Sequence, residues 1–252
     1  MRRSYLVAIA IAAYLVFLVT RIPAHFAYDL VKERLPNLAL GELDGTVWQG
    51  TAGSVVYNGI RAGSLDWDTR PLRFLLGEWN AAIETRGPLE SLADIAYSLT
   101  GTLSVTNASV TTRLSDLRPF YPQLSIMALE GAVSSRIDSL ELEDAKLLEI
   151  HGSATVDNLS AGALQLGDFT AEMRTDDEGT RKLVFASVGS GGLDVEGEVL
   201  LNQQEAITLD LLVSNPEHLG DLGGLFRKFS SKEPDGYRFR WEGEFDDLKK
   251  YM

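Results

Sequence analysis

Apolar and polar residues alternate one by one along most of the chain, which is the period of a β-strand with one dry face. In LDVEGEVLL the apolar residues Leu193, Val195, Val199 and Leu201 share one face, and acidic residues occupy the other. The segments YRFRWEGEF, AITLDLLV, TLSV and SLELE repeat this alternation. Turn-forming residues, as in DDEG, GSGG and PDG, separate the segments. The pattern predicts antiparallel sheet from residue 45 onward.

Helical spacing is confined to short segments. NPEHLGDLGGLFRKFS places apolar residues at helical intervals, with Asn215 as the expected N-cap and Pro216 as the first helical residue. SDLRPFYPQL allows at most one turn because Pro119 and Pro122 interrupt it. Many of the predicted strands begin at or near a glycine, at irregular intervals, which indicates successive hairpins rather than a solenoid repeat.

The N-terminal segment, MRRSYLVAIAIAAYLVFLVTRIPAHF, has a different pattern, with two arginines followed by an unbroken apolar run. A helix from Ser4 to Ile22 would be about 28 Å long, close to the ~30 Å hydrocarbon core of a bilayer. This pattern predicts an uncleaved signal-anchor that crosses the membrane once. The residues that best represent the predicted anchor are Tyr5, Leu6, Leu15, Phe17 and Val19.

Two alternatives to the anchor stay open. A cleaved signal peptide would share the basic start and the apolar core, but its best cleavage site, after Ala27, places His25 where a small residue is required. A buried core helix is the other alternative. With the anchor, Arg2 and Arg3 stay in the cytoplasm and the rest of the chain lies across the membrane.

The predicted fold class is therefore mainly β. A single transmembrane helix is followed by a large curved antiparallel sheet with one or two short helices. The expected domains are the anchor at 1–22, a juxtamembrane helix and linker at 23–40, and a periplasmic antiparallel β domain at 41–252.

Charge is distributed unevenly along the chain. The net charge is −13, yet residues 1–34 carry five basic and two acidic residues, or +3. The remaining 18 basic and 34 acidic residues give the body −16. Such a body repels phosphate backbones and anionic head groups, so we expect no nucleic-acid partner and a membrane contact only at the N-terminal end.

Catalytic and metal-binding patterns are absent from the sequence. The chain has no cysteine, which excludes thiol catalysis and disulfides and favours an oxidising compartment. The histidines, His25, His151 and His218, have no metal-site spacing, and a triad of His151 with Ser153 lacks a nucleophile elbow. The acidic residues alternate on wet faces or lie in turns. We expect neither an enzyme nor a cofactor.

The stretch GTVWQGTAGSVVYNGIRAGSLDW concentrates five glycines and two tryptophans within 23 residues, at 45–67. Alternation places Val55 with Tyr57 on one face and Leu65 with Trp67 on another. The glycines between them are typical of turns and bulges. Structural hairpins are therefore favoured over a ligand-binding loop, although the pattern alone allows both.

The residues LDGTVWQGTAGSV, followed by GSLDWDTRPLRFLLGEWNAAIE, resemble the N-terminal signature of type II secretion system protein N. In that family a Gly-Thr-Val/Leu-Trp-x-Gly turn precedes a Leu-x-Trp strand and a Pro-Leu-x-x-Leu segment. The matching positions here are Gly45, Thr46, Trp48, Gly50, Leu65, Trp67, Pro71 and Leu72. The motif covers about residues 40–85.

The resemblance implies an inner-membrane component of the machine that exports folded proteins across the outer membrane of Gram-negative bacteria. Its periplasmic β domain would contact other inner-membrane and periplasmic subunits, and unpaired strand edges are the expected contact sites. A broader likeness to AsmA-like and lipopolysaccharide-export proteins implies an alternative, a lipid-binding or lipid-transfer module. Its apolar groove would be lined by Val195, Leu209 and Phe239, and lipid would then be a further partner.

Overall fold

The computed structural model describes residues 2–74, 77–121, 124, 128–144, 146–189, 192–202 and 206–244. These residues are mainly β, with a few helices, and the neighbouring strands described below are antiparallel. The predicted mainly-β antiparallel class is confirmed. The chain divides into two compact units, Met1–Leu99 and Thr100–Met252.

The first unit begins with two helices, α1 (Arg2–Thr20) and α2 (Ala24–Val31), and a 3₁₀ turn at Lys32–Arg34. A meander follows in which each strand pairs with the next one along the chain. Its strands are β1 (Leu38–Gly45), β2 (Gln49–Tyr57), β3 (Ile60–Thr69), β4 (Glu78–Arg86) and β5 (Leu89–Ser98). The one-turn helix α3 (Pro71–Phe74) connects β3 to β4.

The five predicted anchor residues all lie in α1, where Tyr5, Leu6, Phe17 and Val19 are exposed. Among the described residues, no helix combines the length and the apolar character that a membrane span requires. The transmembrane segment therefore stays a prediction, as do the domain boundaries at residues 22 and 40.

The first strand begins earlier than the alternation indicates. β1 starts at Leu38, inside the segment expected to be a linker, and Glu42 within it has a positive φ of 55°. Glu42 is also passed over in the pairing with β2, where Gly41 lies opposite Ser54 and Leu43 opposite Ala52. An irregular residue of this kind shifts the side-chain alternation, which explains why the strand pattern is hidden here.

The second unit contains a longer meander. Its strands are β6 (Thr102–Arg113), β7 (Leu129–Glu143), β8 (Lys146–Ala161), β9 (Leu164–Thr175), β10 (Arg181–Val188), β11 (Val195–Leu201), β12 (Ala206–Val213), β13 (Ser231–Glu233) and β14 (Gly236–Glu244). Strands β6 to β12 pair in chain order, β14 pairs with β12, and β13 lies on the outer side of β14. Helices α4 (Leu114–Leu117) and α5 (Asp221–Phe229) belong to this unit.

The core of the second unit lies on one face of β11 and β12. Val195 lies opposite Val213, and both are buried together with Leu193. Leu219 and Phe226, from the segment that contains α5, pack against this cluster. The alternation in LDVEGEVLL therefore correctly predicts the dry face of β11.

The segment after β12 is not one continuous helix. A 3₁₀ turn covers Pro216–Leu219, and α5 starts after Gly220, whose φ of 56° and ψ of −129° break the helix. Asn215 stands at the N-cap position, but its side chain does not cap. Its Oδ1 accepts a hydrogen bond from Asp194 N at 2.6 Å, and its Nδ2 donates to Gly192 O at 3.1 Å. The side chain therefore ties the loop before β11 to the end of β12.

Candidate functional site

The signature residues of the first unit come together at the hairpin between β1 and β2. Gly45 has a φ of +86°, and a Cβ there would lie 2.8 Å from Gly50 Cα, so only glycine fits the turn. Thr46 N donates to Gln49 O at 2.8 Å, and the Thr46 hydroxyl accepts from Trp48 N at 3.3 Å and Gln49 N at 3.2 Å. Glycine and threonine thus satisfy the backbone of a tight turn.

Trp67 covers the first residues of β2 from the neighbouring strand. It lies opposite Gly50 in the β2–β3 pair, and a Cβ on Gly50 would approach the indole Cζ2 to 2.5 Å. The indole Nε1 donates to Thr46 O at 3.2 Å. Gly50 therefore provides space for the ring, and the ring holds the turn. The glycine-rich stretch is a structural hairpin, as favoured from the alternation.

Trp48 connects the same hairpin to the end of α1. Its Nε1 donates to Val19 O at 2.8 Å, and Val47 N donates to Ile22 O at 3.0 Å. Pro23 and Thr46 form an isolated antiparallel bridge beside these bonds. The last carbonyls of a helix have no partner within the helix, so the hairpin satisfies one of the groups that α1 leaves open.

The remaining signature residues occupy less connected positions. Leu65 lies in β3 opposite Ala52, which is fully buried. Pro71 is the first residue of α3, where its missing N–H costs nothing, and Leu72 follows it in the same helix. Of the eight signature residues, the structure brings five into one constellation: Gly45, Thr46, Trp48, Gly50 and Trp67.

Two further residues that the sequence did not single out make hydrogen bonds in the first unit, Thr69 to Trp48 of the constellation and Tyr28 to the first residues of β1. Thr69 is buried, and both its N and its Oγ1 donate to Trp48 O, at 2.6 and 2.9 Å. Tyr28 of α2 donates from its hydroxyl to Leu38 O at 3.0 Å and accepts from Leu40 N at 3.2 Å. Thr69 follows Trp67 by two residues in the same strand, so the alternation could have placed both on one face. No sequence pattern singles out Tyr28.

Tyr28 also changes the outer edge of β1. The outward-facing groups of Leu38 and Leu40 are the kind that would pair with another chain, but here the tyrosine hydroxyl occupies them. These two backbone groups are therefore already used within the chain.

At the other end of the strand order, β13 covers only part of the outer side of β14. β13 pairs with Gly236–Arg238 of β14, and Ser231 Oγ donates to Arg238 O at 3.2 Å. That bond shows that the backbone of Arg238 faces away from β12, and by alternation Arg240 and Glu242 face the same way. No strand in the described residues pairs with β14 on that side beyond Arg238.

Charged side chains line the same part of the second unit. Arg240 Nε lies 2.9 Å from Asp210 Oδ2, and this carboxylate raises the pKa of the arginine above its ordinary value. Arg238 Nε lies 3.4 Å from both Asp210 and Glu233. Charged side chains next to an unpaired strand edge disfavour pairing with strands of unrelated chains.

The three residues of the predicted lipid groove share one face of the second unit. Val195 is buried in the core cluster, and Phe239 lies opposite Leu211 with its ring 6.5 Å from that of Phe226. Leu209, opposite Trp241, is half-buried. At Val195 and Phe239 the face is thus occupied by the chain's own side chains, and nothing in the structure favours an open groove there.

His151 and His218 make ordinary surface contacts. His151 Nε2 lies 3.1 Å from Glu149 Oε1, and His218 Nδ1 lies 2.7 Å from Gly192 O. Ser153 stands two positions after His151 in β8, as the sequence indicated. No group of three or more potential metal ligands occurs among the residues that the structure describes.

Comparison with known proteins identifies the class. The family model for type II secretion system (T2SS) protein N matches residues 36–240, which include the hairpin and nearly all the strands of both units. The chain therefore belongs to the T2SS protein N family, as the signature predicted. No curated protein and no solved structure matches the chain at a significant level. Membership in the family makes the chain a type II secretion component that works with other components of that system.

Proposed function

We propose that the chain is a non-catalytic inner-membrane component of the type II secretion system. α1 anchors it, both β units lie in the periplasm, and the second unit contacts another subunit during export of folded proteins. Family membership supports the role in secretion. The anchor, the location, the lack of catalysis and the contact site are the parts that need testing.

One observation carries this proposal: the signature hairpin is bonded to the end of α1. Trp48 and Val47 donate to Val19 O and Ile22 O, so motion of the helix end is transmitted to β1 and β2. The bonds described within the constellation join its members to one another and to the chain's own backbone. Hydrogen bonds of this kind, made within the chain itself, favour a structural role for the constellation over a substrate-binding role.

The character of α1 supports membrane attachment. Tyr5, Leu6 and Ile9 are between 65% and 70% exposed, and exposed apolar side chains along one helix are favourable only in an apolar environment. Arg2 and Arg3 precede the apolar run, which by the positive-inside rule favours a cytoplasmic N-terminus. Alkaline extraction of membranes, combined with protease treatment of spheroplasts, tests both points. Retention in the membrane with a protease-sensitive body is the expected result, and release by alkali contradicts it.

The outer side of β14 supports the choice of contact site. The backbone groups of Arg240 and Glu242 face away from β12, and a partner strand could extend the sheet there by β-augmentation. The edge lies beside Asp210 and the two arginines that pair with it, so a partner must match a fixed charge pattern.

Photo-crosslinking tests this contact in cells that assemble the secretion system. A photoreactive amino acid at Glu242 should give an adduct with another secretion subunit, whereas one at Leu148, exposed in β8, should not. Glu242→Pro should abolish the contact because proline has no amide N–H, while Glu242→Ala should keep it. Equal adducts from both positions, or a crosslink that persists in the Glu242→Pro variant, would show that β14 is not the contact site.

A further inference from the structure

Helix α2 is attached to the first unit by one side only. Ala24 is 6% exposed, and Tyr28, four residues later on the same side, bonds to Leu38 and Leu40 of β1 through its hydroxyl. Residues four apart on a helix lie one above the other, so this side of α2 faces the sheet. The contact fixes the orientation of the helix relative to β1.

The opposite side of α2 is apolar and exposed. Phe26 is 56% exposed and Leu30 is 68% exposed, and their spacing of four places them on one face. Leu35, just after the 3₁₀ turn, is also exposed, at 44%. A helix on the surface of a water-soluble domain normally turns its polar face outward. Here, the outward face carries the large apolar side chains.

Basic residues precede and follow this apolar patch, which comprises Phe26 and Leu30. Arg21 precedes α2, and Lys32 and Arg34 follow it in the 3₁₀ turn. Lys32 is paired with Asp29 at 2.9 Å, and Arg21 lies over the Phe17 ring at 5.6 Å. Arg2 and Arg3 precede α1, so the charge beside the patch is that of residues 21–34. There Arg21, Lys32 and Arg34 stand against Asp29 and Glu33, which gives +1, whereas residues 35–252 carry −16.

The position of the patch along the chain indicates what covers it. Only Arg21, Ile22 and Pro23 separate α1 from α2, and Ile22 O is held by Val47 N. If α1 is embedded in a bilayer, α2 begins at the surface of that bilayer. An apolar face with basic residues at its margin is the composition of helices that lie in the plane of a membrane interface.

We propose that α2 lies flat on an anionic lipid surface. Phe26 and Leu30 reach to the boundary of head groups and acyl chains, and Arg21 and Arg34 contact lipid phosphates. This inference rests on the proposed anchoring of α1. It adds a second attachment that fixes the tilt of the first unit, because Tyr28 and Val47 bond α2 and its leading loop to the sheet.

The absence of cysteine makes a site-specific test possible in the full chain. Single cysteines in place of Leu30, Ile11 or Phe229 carry an environment-sensitive fluorophore, and each variant is reconstituted in vesicles of neutral and anionic phospholipid. Ile11 reports on α1, and Phe229, 71% exposed in α5, is the matched apolar control. Doxyl quenchers are attached to lipid either near the head group or near the end of the acyl chain.

The depth of each probe decides the outcome. Because interfacial helices sink only about 5–10 Å, we expect the head-group quencher to reduce Leu30 emission about twofold more than the deep quencher. The Ile11 probe should show the reverse order, and the Phe229 probe should respond to neither. Omitting anionic lipid, or adding Arg34→Glu, should cause a loss of shallow quenching at Leu30.

Different failures have different patterns. A Leu30 probe that behaves like the Phe229 probe, while Ile11 is quenched, overturns the surface attachment and leaves the anchor intact. Unquenched probes at both Leu30 and Ile11 overturn the anchor itself. A Leu30 probe shielded from aqueous iodide but unaffected by lipid quenchers shows that protein, such as a second copy, covers the patch, and this also overturns the proposal.

Discussion

The indole nitrogen of Trp48 donates a hydrogen bond of 2.8 Å to the carbonyl oxygen of Val19, 29 positions earlier in the chain. Val19 lies in the last turn of α1, and Trp48 lies in the turn between β1 and β2. The family's tryptophan therefore joins the apolar helix to the first hairpin. This contact gives a physical role to a signature residue that alternation alone places only near a turn.

Removing the indole donor should loosen this connection. Trp48→Phe keeps an aromatic ring but leaves Val19 O with only the 3.4 Å bond from Ile22 N. Loss of one hydrogen bond costs about 1 kcal/mol. Limited proteolysis in detergent should show faster cleavage between α1 and β1. The matched control is Trp79→Phe, because the Trp79 indole nitrogen makes no hydrogen bond within the described part of the chain. Equal cleavage rates for the two variants would show that the bond is unimportant.

A methyl group at Gly50 should disrupt the hairpin. The Cβ of Gly50→Ala would lie 2.5 Å from Trp67 Cζ2, so the indole or the turn must move. We expect destabilisation of about 2 kcal/mol, in the range found for overpacked sites. Gly41→Ala in β1 is the control, since its Cβ would meet Ser54 Cβ at an ordinary 3.6 Å. Chemical denaturation in detergent measures both, and equal midpoints would contradict the close contact.

The tyrosine that covers the edge of β1 should protect a single amide. Tyr28→Phe removes the hydroxyl that accepts from Leu40 N, leaving that N–H open to solvent. Hydrogen exchange at Leu40 should accelerate at least about fivefold, equivalent to about 1 kcal/mol of lost protection. Tyr57→Phe, which removes an exposed hydroxyl from β2, should not change it. Unchanged exchange in Tyr28→Phe would show that another group covers this edge.

The ion pair in α2 predicts a pH dependence with a defined sign. A hydrogen bond and the charge of Lys32 hold the pKa of Asp29 below its ordinary 3.8, so the pair stabilises α2 above that value. The contribution disappears as the pH falls through the lowered pKa. Asp29 likewise raises the pKa of Lys32, so stabilisation is also lost as the pH rises through that raised value.

An NMR titration of the Asp29 carboxyl in neutral detergent tests this sign. Lys32→Gln should move the pKa of Asp29 upward, towards the ordinary value, because both causes of the shift are removed. Lys146→Gln, in the second unit, should leave it unchanged. An Asp29 pKa that is the same in the wild type and in Lys32→Gln would show that the pair does not form in solution.

Strands β11 and β12 were predictable because apolar and polar side chains alternate along them and their pairing is regular. AITLDLLV corresponds to β12, and LDVEGEVLL contains β11 with Val195 on the buried side. β1 was missed because Glu42 adopts a positive φ and interrupts the alternation after Leu40. Period-two analysis depends on regular backbone, so one irregular residue in a short strand removes the signal.

The candidate site was predictable in its members but not in its connections. The motif supplied Gly45, Trp48, Gly50 and Trp67, yet nothing local indicates that Trp48 reaches Val19. Long-range hydrogen bonds depend on how elements pack, and alternation describes each element separately. For the same reason Asn215, which has an ordinary N-cap sequence, uses its side chain to bind the loop before β11 instead.

The central claim is that the chain supports secretion only when α1 holds its β units at the inner membrane. The most direct measurement replaces residues 1–22 with a cleavable signal and follows export of a type II substrate in cells that lack the native protein. We predict a folded periplasmic body that accumulates normally but fails to restore export. Full restoration of export by this soluble form would contradict the claim.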